Sequence, residues 1–462
     1  MENKPILWQE ATLFILTAAG CFHIAYTPVN SGLAGLFIIG YLVFVVQLAR
    51  MQTARRAFYA GIAAGLLCFS PQLGFFWGIF GISAIPLWVV LAFWVGLFSA
   101  LSQVALARFG SKYATLLIPF LWTGCEYFRS ELYYLKFSWL NVGYALANSP
   151  FTPFHLLGVY GIAFVIAAIA ALSLKTGILR IIPLYVCAVL ICVFSIKPPA
   201  VTGAGDAGIH ITGIQLEFPS EDEIIKALDG VVTRHSPVDL CVLSEYTLLN
   251  GPPSRQLKDW CRNHDQYLII GGKDPTTGGA YFNTAFVIDP KGEIVFKQAK
   301  SVPIQLFKDG LPAFGQELWN SPWGKIGICI CYDLSYTRVT DQLAKKGAQM
   351  LIVPTMDVAE WGRHEHELHA RIAPVRAAEY GIPVFRVASS GISQGINGLE
   401  KVQTSFPGQG EVLDFQAVLS RPATVPLDRR FLVQISLGIT TGWGLWIILE
   451  LMQTAVLRSR KG

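Results

Sequence analysis

The chain has 462 residues, 53% hydrophobic and only 15% charged, with a net charge of +5. Soluble domains average about 25% charged residues, so this composition excludes a chain that lies wholly in water. The small positive charge, without a dense Lys/Arg run interleaved with aromatics, gives no basis for a nucleic-acid partner.

Residues 1 to about 196 are dominated by apolar runs. Seven read as membrane spans, at roughly 8–28, 33–49, 57–81, 85–107, 112–127, 153–173 and 179–195. Most reach the roughly 20 residues needed to cross a hydrocarbon core. The first lacks a small-residue cleavage site and reads as an anchor, not a removed signal peptide. Arg50, Arg55 and Arg56 follow the second span, Arg108 and Lys112 the fourth, and Lys175 and Arg180 the sixth; the loops after the first and third carry no Lys or Arg. The positive-inside rule puts the N-terminus and these basic loops in the cytoplasm. An odd number of spans, seven, delivers the middle region to the opposite side.

From about 205 to 425 the pattern changes. "GIHITGIQLEF", "VDLCVLSEY", "QYLIIGG", "AYFNTAFVID", "KIGICICYD" and "AQMLIVPTMD" read as strands. "EDEIIKALDGVVTRH", "PSRQLKDWCRNH", "TRVTDQLAKKG" and "HELHARIAPVRAAEYG" read as helices. Such alternation predicts a layered α/β domain, with a mixed sandwich and a doubly wound sheet equally compatible. An eighth apolar span, about 431–457, is followed by the basic "RSRKG", which returns the C-terminus to the cytoplasm. The predicted organisation is a seven-span bundle over 1–200, an exported domain over 205–425 and a closing helix over 430–457.

The candidate chemistry lies in the middle region. Of nine cysteines, Cys21, Cys68, Cys125, Cys187 and Cys192 lie in apolar stretches, where a thiol behaves as a small hydrophobe. No CxxC pair or zinc spacing occurs. Cys331 ends the apolar run "KIGICIC", where a chain leaves a sheet, whereas Cys329 reads as a packed thiol deeper in the same run. A thiol nucleophile needs a base or a cation to activate it. Glu245, at the end of "VDLCVLSEY", offers the first; Lys300 or Lys297, in "FKQAKSVPIQLF", offers the second. "RHEHELH" is not HExxH, because Leu368 stands where the second histidine would be needed. His366 and His369 can share a helix face, but neither a metal nor a cofactor is assigned.

The order Glu, Lys, Cys resembles the nitrilase (carbon–nitrogen hydrolase) superfamily. "LSEY" is similar to its glutamate motif, "YFNTAFVIDPKGEIV" to the strand pair before its lysine, and "GICICYD" to its cysteine elbow. "HARIAPVRAAEYGIPVFRVASSGIS" is similar to the helix and strand after that elbow. The resemblance implies a four-layer αββα sandwich with Glu245 as general base, Cys331 as nucleophile and a lysine stabilising the oxyanion.

The segment from Pro119 to Gly161 resembles a signature of bacterial apolipoprotein N-acyltransferases, through Pro119, Trp122, Glu126, Arg129, Phe137, Trp139, Leu140, Gly143, Tyr144, Gly158, Tyr160 and Gly161. This family implies an eight-span inner-membrane protein. It would move an acyl chain from a phospholipid to the N-terminal amine of a diacylglyceryl-cysteine lipoprotein, through a thioester on Cys331. Its partners would be the phospholipid donor, the lipoprotein acceptor and the bilayer, and a monomer is expected. Trp361 and Gly362 match a loop near the substrate entrance. Asp333 comes after the nucleophile as family acids do, orienting the lysine or accepting backbone hydrogens. Several positions depart from the family. Ser244 replaces a proline before the glutamate, and Asp333 replaces a glutamate. Gln298 falls on the lysine position when counted back from Val302–Pro303, so Lys300 is chosen over Lys297 for its closeness to that anchor. Leu306 falls on a second glutamate, for which Asp309 stands in. The competing reading is a membrane-tethered amidase of nitrilase type, with water as the second substrate.

Overall fold

The computed structural model describes residues 4–27, 31–147, 149, 152–176, 208–234, 238–398, 401–419 and 422–459. The chain divides into two units, Met1–Lys197 with Pro426–Gly462, and Pro198–Val425.

The first unit is helical. Its helices are α1 (Trp8–Tyr26), α2 (Ser31–Gln47), α3 (Ala54–Gln72), the short α4 (Phe76–Phe80), α5 (Ala84–Tyr127), α6 (Phe154–Thr176) and a closing helix, Val433–Ser459. Among the described residues, four segments are long and apolar enough to cross a membrane by length and composition: Leu33–Arg50, Phe76–Leu132, Phe154–Lys175 and Asp428–Leu457. The predicted first and third spans form α1 and α3, but these carry polar residues such as Glu10, His23, Arg55 and Arg56. The predicted fourth and fifth spans are the two halves of α5, which is broken at Gly110 (φ 68°, ψ 177°), inside the predicted gap. Only glycine takes that conformation without strain. The predicted seventh span, 179–195, with Cys187, Cys192 and Arg180, lies outside the described residues.

Small residues set the packing of α3 on α5. A Cβ at Gly61 would fall 2.7 Å from Val95 O, and one at Gly65 would fall 2.7 Å from Ala92 Cα. Glycines four apart let helix backbones approach closely where water supplies no driving force. Glu126 and Arg129 act as a clamp on the turn after α5. Glu126 Oε1 accepts from Val142 N at 2.9 Å, and Arg129 donates to Asn141 Oδ1, as does Ser130 Oγ at 2.9 Å. Tyr26 Oη donates to Asn141 O at 2.7 Å, which ties α1 to the same turn.

Among the described residues, the second unit forms two six-stranded sheets, ordered β12-β1-β2-β3-β4-β5 and β11-β10-β9-β8-β7-β6. In chain order the strands are β1 (Ile209–Ile214), β2 (Leu240–Leu243), β3 (Tyr267–Pro275), β4 (Tyr281–Ile288), β5 (Ile294–Ala299), β6 (Leu318–Ser321), β7 (Gly324–Ile328), β8 (Met350–Pro354), β9 (Val384–Val387), β10 (Gln394–Asn397), β11 (Lys401–Thr404) and β12 (Val412–Ala417). β1, β2 and β3 run parallel, as do β7, β8 and β9. Helices α7 (Glu221–Arg234) and α8 (Arg255–His264) cover the first sheet. Ile224, Leu228 and Val231 recur at helical spacing and pack with Leu257 and Trp260 against Cys241, Leu243, Leu268 and Phe286. On the second sheet lie α9 (Thr337–Lys345), α10 (Arg363–Ala370) and α11 (Ile372–Tyr380), with α11 against β9 and β10. The sheets face one another through Phe385 of β9 and Phe415 of β12, whose rings stack at 5.7 Å. The layering is helix, sheet, sheet, helix, so the sandwich is realised and the single doubly wound sheet is not.

Two predicted elements differ in detail. "HELHARIAPVRAAEYG" is two helices, α10 and α11. Pro374 has no N–H to bond back to Ala370, so the hydrogen-bond ladder breaks there. The predicted strand "KIGICICYD" ends at Ile328, and Cys331–Ser335 forms a 3-10 turn.

Candidate active site

The site gathers at the carboxyl ends of parallel strands from both sheets. β2 ends two residues before Glu245, β7 three before Cys331, and β8 two before Met356. In α/β sheets this is where strands stop pairing and leave backbone groups free to meet a ligand. Two of the turns are strained. Tyr246, after Glu245, has φ 52°, and Cys331 has φ 50°. Left-handed conformations of non-glycine residues cost on the order of 1 kcal/mol or more and cluster at functional sites. The strain lifts the Cys331 side chain out of strand alternation, which is why its register differs from that of Cys329.

Glu245, Lys300 and Cys331 are all buried, Lys300 completely. Lys300 Nζ donates to Glu245 Oε1 at 2.8 Å and pairs with Asp309 Oδ2 at 2.7 Å. Asn283 Nδ2 bridges the same two acids, at 2.6 Å from Glu245 Oε1 and 2.8 Å from Asp309 Oδ1. Tyr246 Oη donates to Asp309 Oδ1 at 2.8 Å, and Ile304 N to Asp309 Oδ2 at 2.8 Å. The second oxygen of Glu245 accepts from Met356 N at 2.9 Å. The Met356 carbonyl lies 3.9 Å from Cys331 Sγ.

Ionisation is set by this geometry. Burial alone would lower the Lys300 ammonium, but Asp309 and Glu245 outweigh it and hold the group well above the usual lysine range. Burial would raise Asp309, but Lys300 outweighs it and holds that carboxyl below its usual range. Burial raises Glu245, with Lys300 opposing. Burial also pushes the Cys331 thiol well up, and the Glu245 charge adds to it. At rest the thiol keeps its proton, beside a carboxylate that can take it.

The structure places Lys300 inside this cluster and Lys297 outside it. Lys297 is exposed on β5 and pairs with Asp274 at 3.0 Å. Gln298 is also on β5, donating to Ala299 O and Gly315 O. Asp309 joins the cluster directly. Asp333 does not touch Lys300; its carboxylate accepts from Ser301 N, Val302 N and Ile330 N at 2.7–3.3 Å. It therefore fastens the segment after Lys300 to the Cys331 turn. Burial raises its carboxyl to about 6 against these three donors. Asp333→Ala is expected to strand three N–H groups and cost on the order of 3 kcal/mol, read as a lowered melting temperature with slower modification of Cys331. Trp361 is half-buried on a 3-10 turn, its ring 6.5 Å from Phe307.

Several positioning groups escape a reading of the sequence. Asn283 sits in a run with the pattern of a strand, and a buried amide among Phe, Thr and Ala is the available signal. Arg376 lies fully buried on α11, paired with Glu379, and donates to Leu334 O and Ser335 O at 3.0 Å each. It holds the end of the Cys331 turn. A charged pair inside the apolar run "IAPVRAAEYGIPV" could have flagged it. Asp357, Glu365 and His369 bring one nitrogen and two carboxylates within 4.8 Å of one another. Asp357 spends one oxygen on His369 Nδ1, at 2.7 Å, and the other on Arg386. Burial and the Asp357 charge push the Glu365 carboxyl well up, with Arg386 opposing. Both Asp357 oxygens are thus engaged by protein donors.

Comparison with known proteins matches each unit to a family. Residues 230–420 match the family described as Carbon-nitrogen hydrolase. Residues 18–172 match the family described as Apolipoprotein N-acyltransferase N-terminal domain. The formamidases of Bacillus thuringiensis (strain Al Hakam) and Bacillus cereus (strain B4264) are 30% and 31% identical over 152 residues, covering 28% of this chain and 45% of theirs. The chain thus spans less than half the length of these curated relatives. Among solved structures, Nit3 of Saccharomyces cerevisiae is similar at 18% identity and a TM-score of 0.39, over 46% of this chain and 92% of that one. The carbon–nitrogen hydrolase of Helicobacter pylori G27 is similar at 16% identity and a TM-score of 0.39, over 51% and 93%.

Proposed function

This chain belongs to the apolipoprotein N-acyltransferase family, and from that premise we propose that it transfers an acyl group from a membrane phospholipid to the N-terminal amine of a diacylated lipoprotein. The observation that carries the reading is the buried contact of Glu245 with Lys300 beside the Cys331 thiol. In the proposed cycle Glu245 takes the thiol proton, and the sulfur attacks the ester carbonyl. Lys300 and nearby backbone N–H groups stabilise the oxyanion. The carbon–oxygen bond of the ester breaks, the lysophospholipid leaves with the proton from Glu245, and a thioester remains on Cys331. The lipoprotein amine then attacks, Glu245 accepts its proton, and the amide forms as the thiol is regenerated.

The surroundings suit an acyl substrate. Leu306, Phe307, Leu311 and Phe314 on the segment after Lys300 are exposed, Phe314 fully, and Phe307 neighbours Trp361. Apolar side chains gathered in the open mark an interaction surface. The apolar helices support a membrane setting. An inner-membrane location, with the catalytic unit on the outer side and eight spans in all, is part of the proposal, as is action as a monomer.

The test is to incubate the detergent-solubilised protein with phospholipid, measure its intact mass, and then add a diacylated peptide. An acyl mass increment on Cys331, discharged onto the peptide amine, is expected. No increment in a folded preparation would overturn the reading. An increment discharged only to water would favour the amidase reading, which the formamidase similarity raises.

A further inference from the structure

The Met356 backbone contacts both groups through the two peptides that flank its Cα, its N–H on Glu245 Oε2 and its carbonyl facing Cys331 Sγ. The groups that fix that backbone lie on the far side of the loop. Thr355 N still bonds Val387 O at 2.8 Å, so the sheet holds Met356 from one end. Asp357 holds it from the other. Its N–H donates to Ser389 Oγ at 3.1 Å, and its carbonyl accepts from Ser389 Oγ at 2.9 Å and Ser390 N at 3.0 Å. Its carboxylate, fully buried, accepts from His369 Nδ1 and Arg386. A Cβ at Gly391 would lie 2.6 Å from Asp357 Cβ, so that position must lack a side chain for the loop to seat. Because Asp357 is only an acceptor, the His369 proton sits on Nδ1.

We propose that Asp357, oriented by His369 and Arg386, is a positioning residue that aims the Met356 N–H at the catalytic base and thereby sets the reactivity of Cys331. The inference rests on the functional reading for its importance in acyl transfer, but not for its test. Lys300, Asp309 and Cys331 are the charged or titratable groups facing Glu245, with the Tyr246 hydroxyl behind Asp309. Arg386, His369, His366 and Glu365 face Asp357. None of the Asp357 partners hydrogen-bonds Glu245, so their hold on the base passes through the Met356 backbone N–H; the Asp357 charge also raises the Cys331 thiol directly, and the His369 variants, which leave that charge in place, isolate the positioning effect. Losing that N–H leaves the Glu245 carboxylate less stabilised, and the base then ionises only at higher pH.

The experiment measures the alkylation rate of Cys331 by iodoacetamide against pH, which needs no acyl donor. Wild type is compared with Asp357→Asn, His369→Ala and His369→Asn, each checked for folding by its melting curve. His369→Ala is expected to slow alkylation roughly 10-fold near neutral pH, as a one-unit rise in the base would give, and to move the acid limb of the profile upward; Asp357→Asn is expected to move that limb the same way while the loss of its charge lowers the thiol. His369→Asn, whose amide N–H can replace Nδ1–H, is expected to restore the limb. If His369→Ala and His369→Asn alkylate alike, with the limb unmoved, the inference is overturned, whether or not Asp357→Asn folds. If phospholipid never acylates the wild type while the alkylation profiles shift as expected, the proposed function fails and the positioning role stands.

Discussion

Cys331→Ala is expected to abolish formation of the acyl-enzyme, while Cys329→Ala leaves it intact. Both thiols are buried and only two residues apart, so neither exposure nor neighbourhood separates them. Backbone conformation does. Cys329 is still in extended pairing, its N–H bonded to Ile352 O at 3.2 Å. Its side chain is fully buried beside the Asp333 and Arg376 charges. Removing its sulfur costs about 1 kcal/mol of packing and nothing at the reacting centre. Cys331, at φ 50°, turns its sulfur toward Glu245 and the Met356 carbonyl. Alanine tolerates that conformation no worse than cysteine, so the variant should fold and melt close to wild type. Intact mass after exposure to phospholipid reads the outcome. An acyl increment surviving in Cys331→Ala and missing in Cys329→Ala would invert the assignment.

Lys300→Met is expected to remove both activity and much of the stability. The ammonium is completely buried between Glu245 and Asp309. A methionine of similar length leaves two carboxylates facing each other in a dry site. Breaking a buried ion pair by deleting one partner costs about 3–5 kcal/mol. The signs of the pKa shifts fix the pH dependence. In wild type the Asp309 pKa is depressed, so the stability it contributes is present above its unfolded value of about 3.9 and lost as pH falls through the lower folded value. In the variant no cation remains, and burial with like charge raises both carboxyls above their unfolded values. Their penalty is then relieved as pH falls through the raised folded values. The gap in melting temperature between the two proteins should therefore be widest near neutral pH and narrow toward about pH 4. A variant that melts like wild type at neutral pH would show that Lys300 does not carry the cluster's charge balance.

The reach of the sequence differs between the two units and between kinds of residue. Apolar run length marked the helices of the first unit, because a hydrocarbon environment demands long, uncharged, internally bonded segments. The predicted gap between the fourth and fifth spans, 108–111, holds the break at Gly110, where one residue's φ interrupts α5. In the second unit, the strand patterns located β1, β2, β3, β4, β7 and β8. The short strands β6, β10 and β11, four residues each, carry too few residues for a periodicity to show.

At the site, Glu245 and Cys331 could be read from strand ends followed by chemistry-bearing residues. The sequence could narrow the lysine to two positions, but only packing decided between them. β5 turns Lys297 to solvent, while the segment after it carries Lys300 inward to meet Asp309 and Asn283. Asp333 was marked by its place after the nucleophile, yet its function as a fastener depends on three N–H groups from two separate segments. Asp357, His369 and Arg386 come from a loop, a helix and a strand that no local pattern connects. Sequence by itself thus determined the two-unit organisation, the helical and layered classes, and which thiol and which carboxylate to propose as nucleophile and base. Tertiary structure decided which lysine meets Glu245 and Asp309 and which backbone N–H reaches Glu245, because those depend on distances between segments, and chain spacing does not encode such distances.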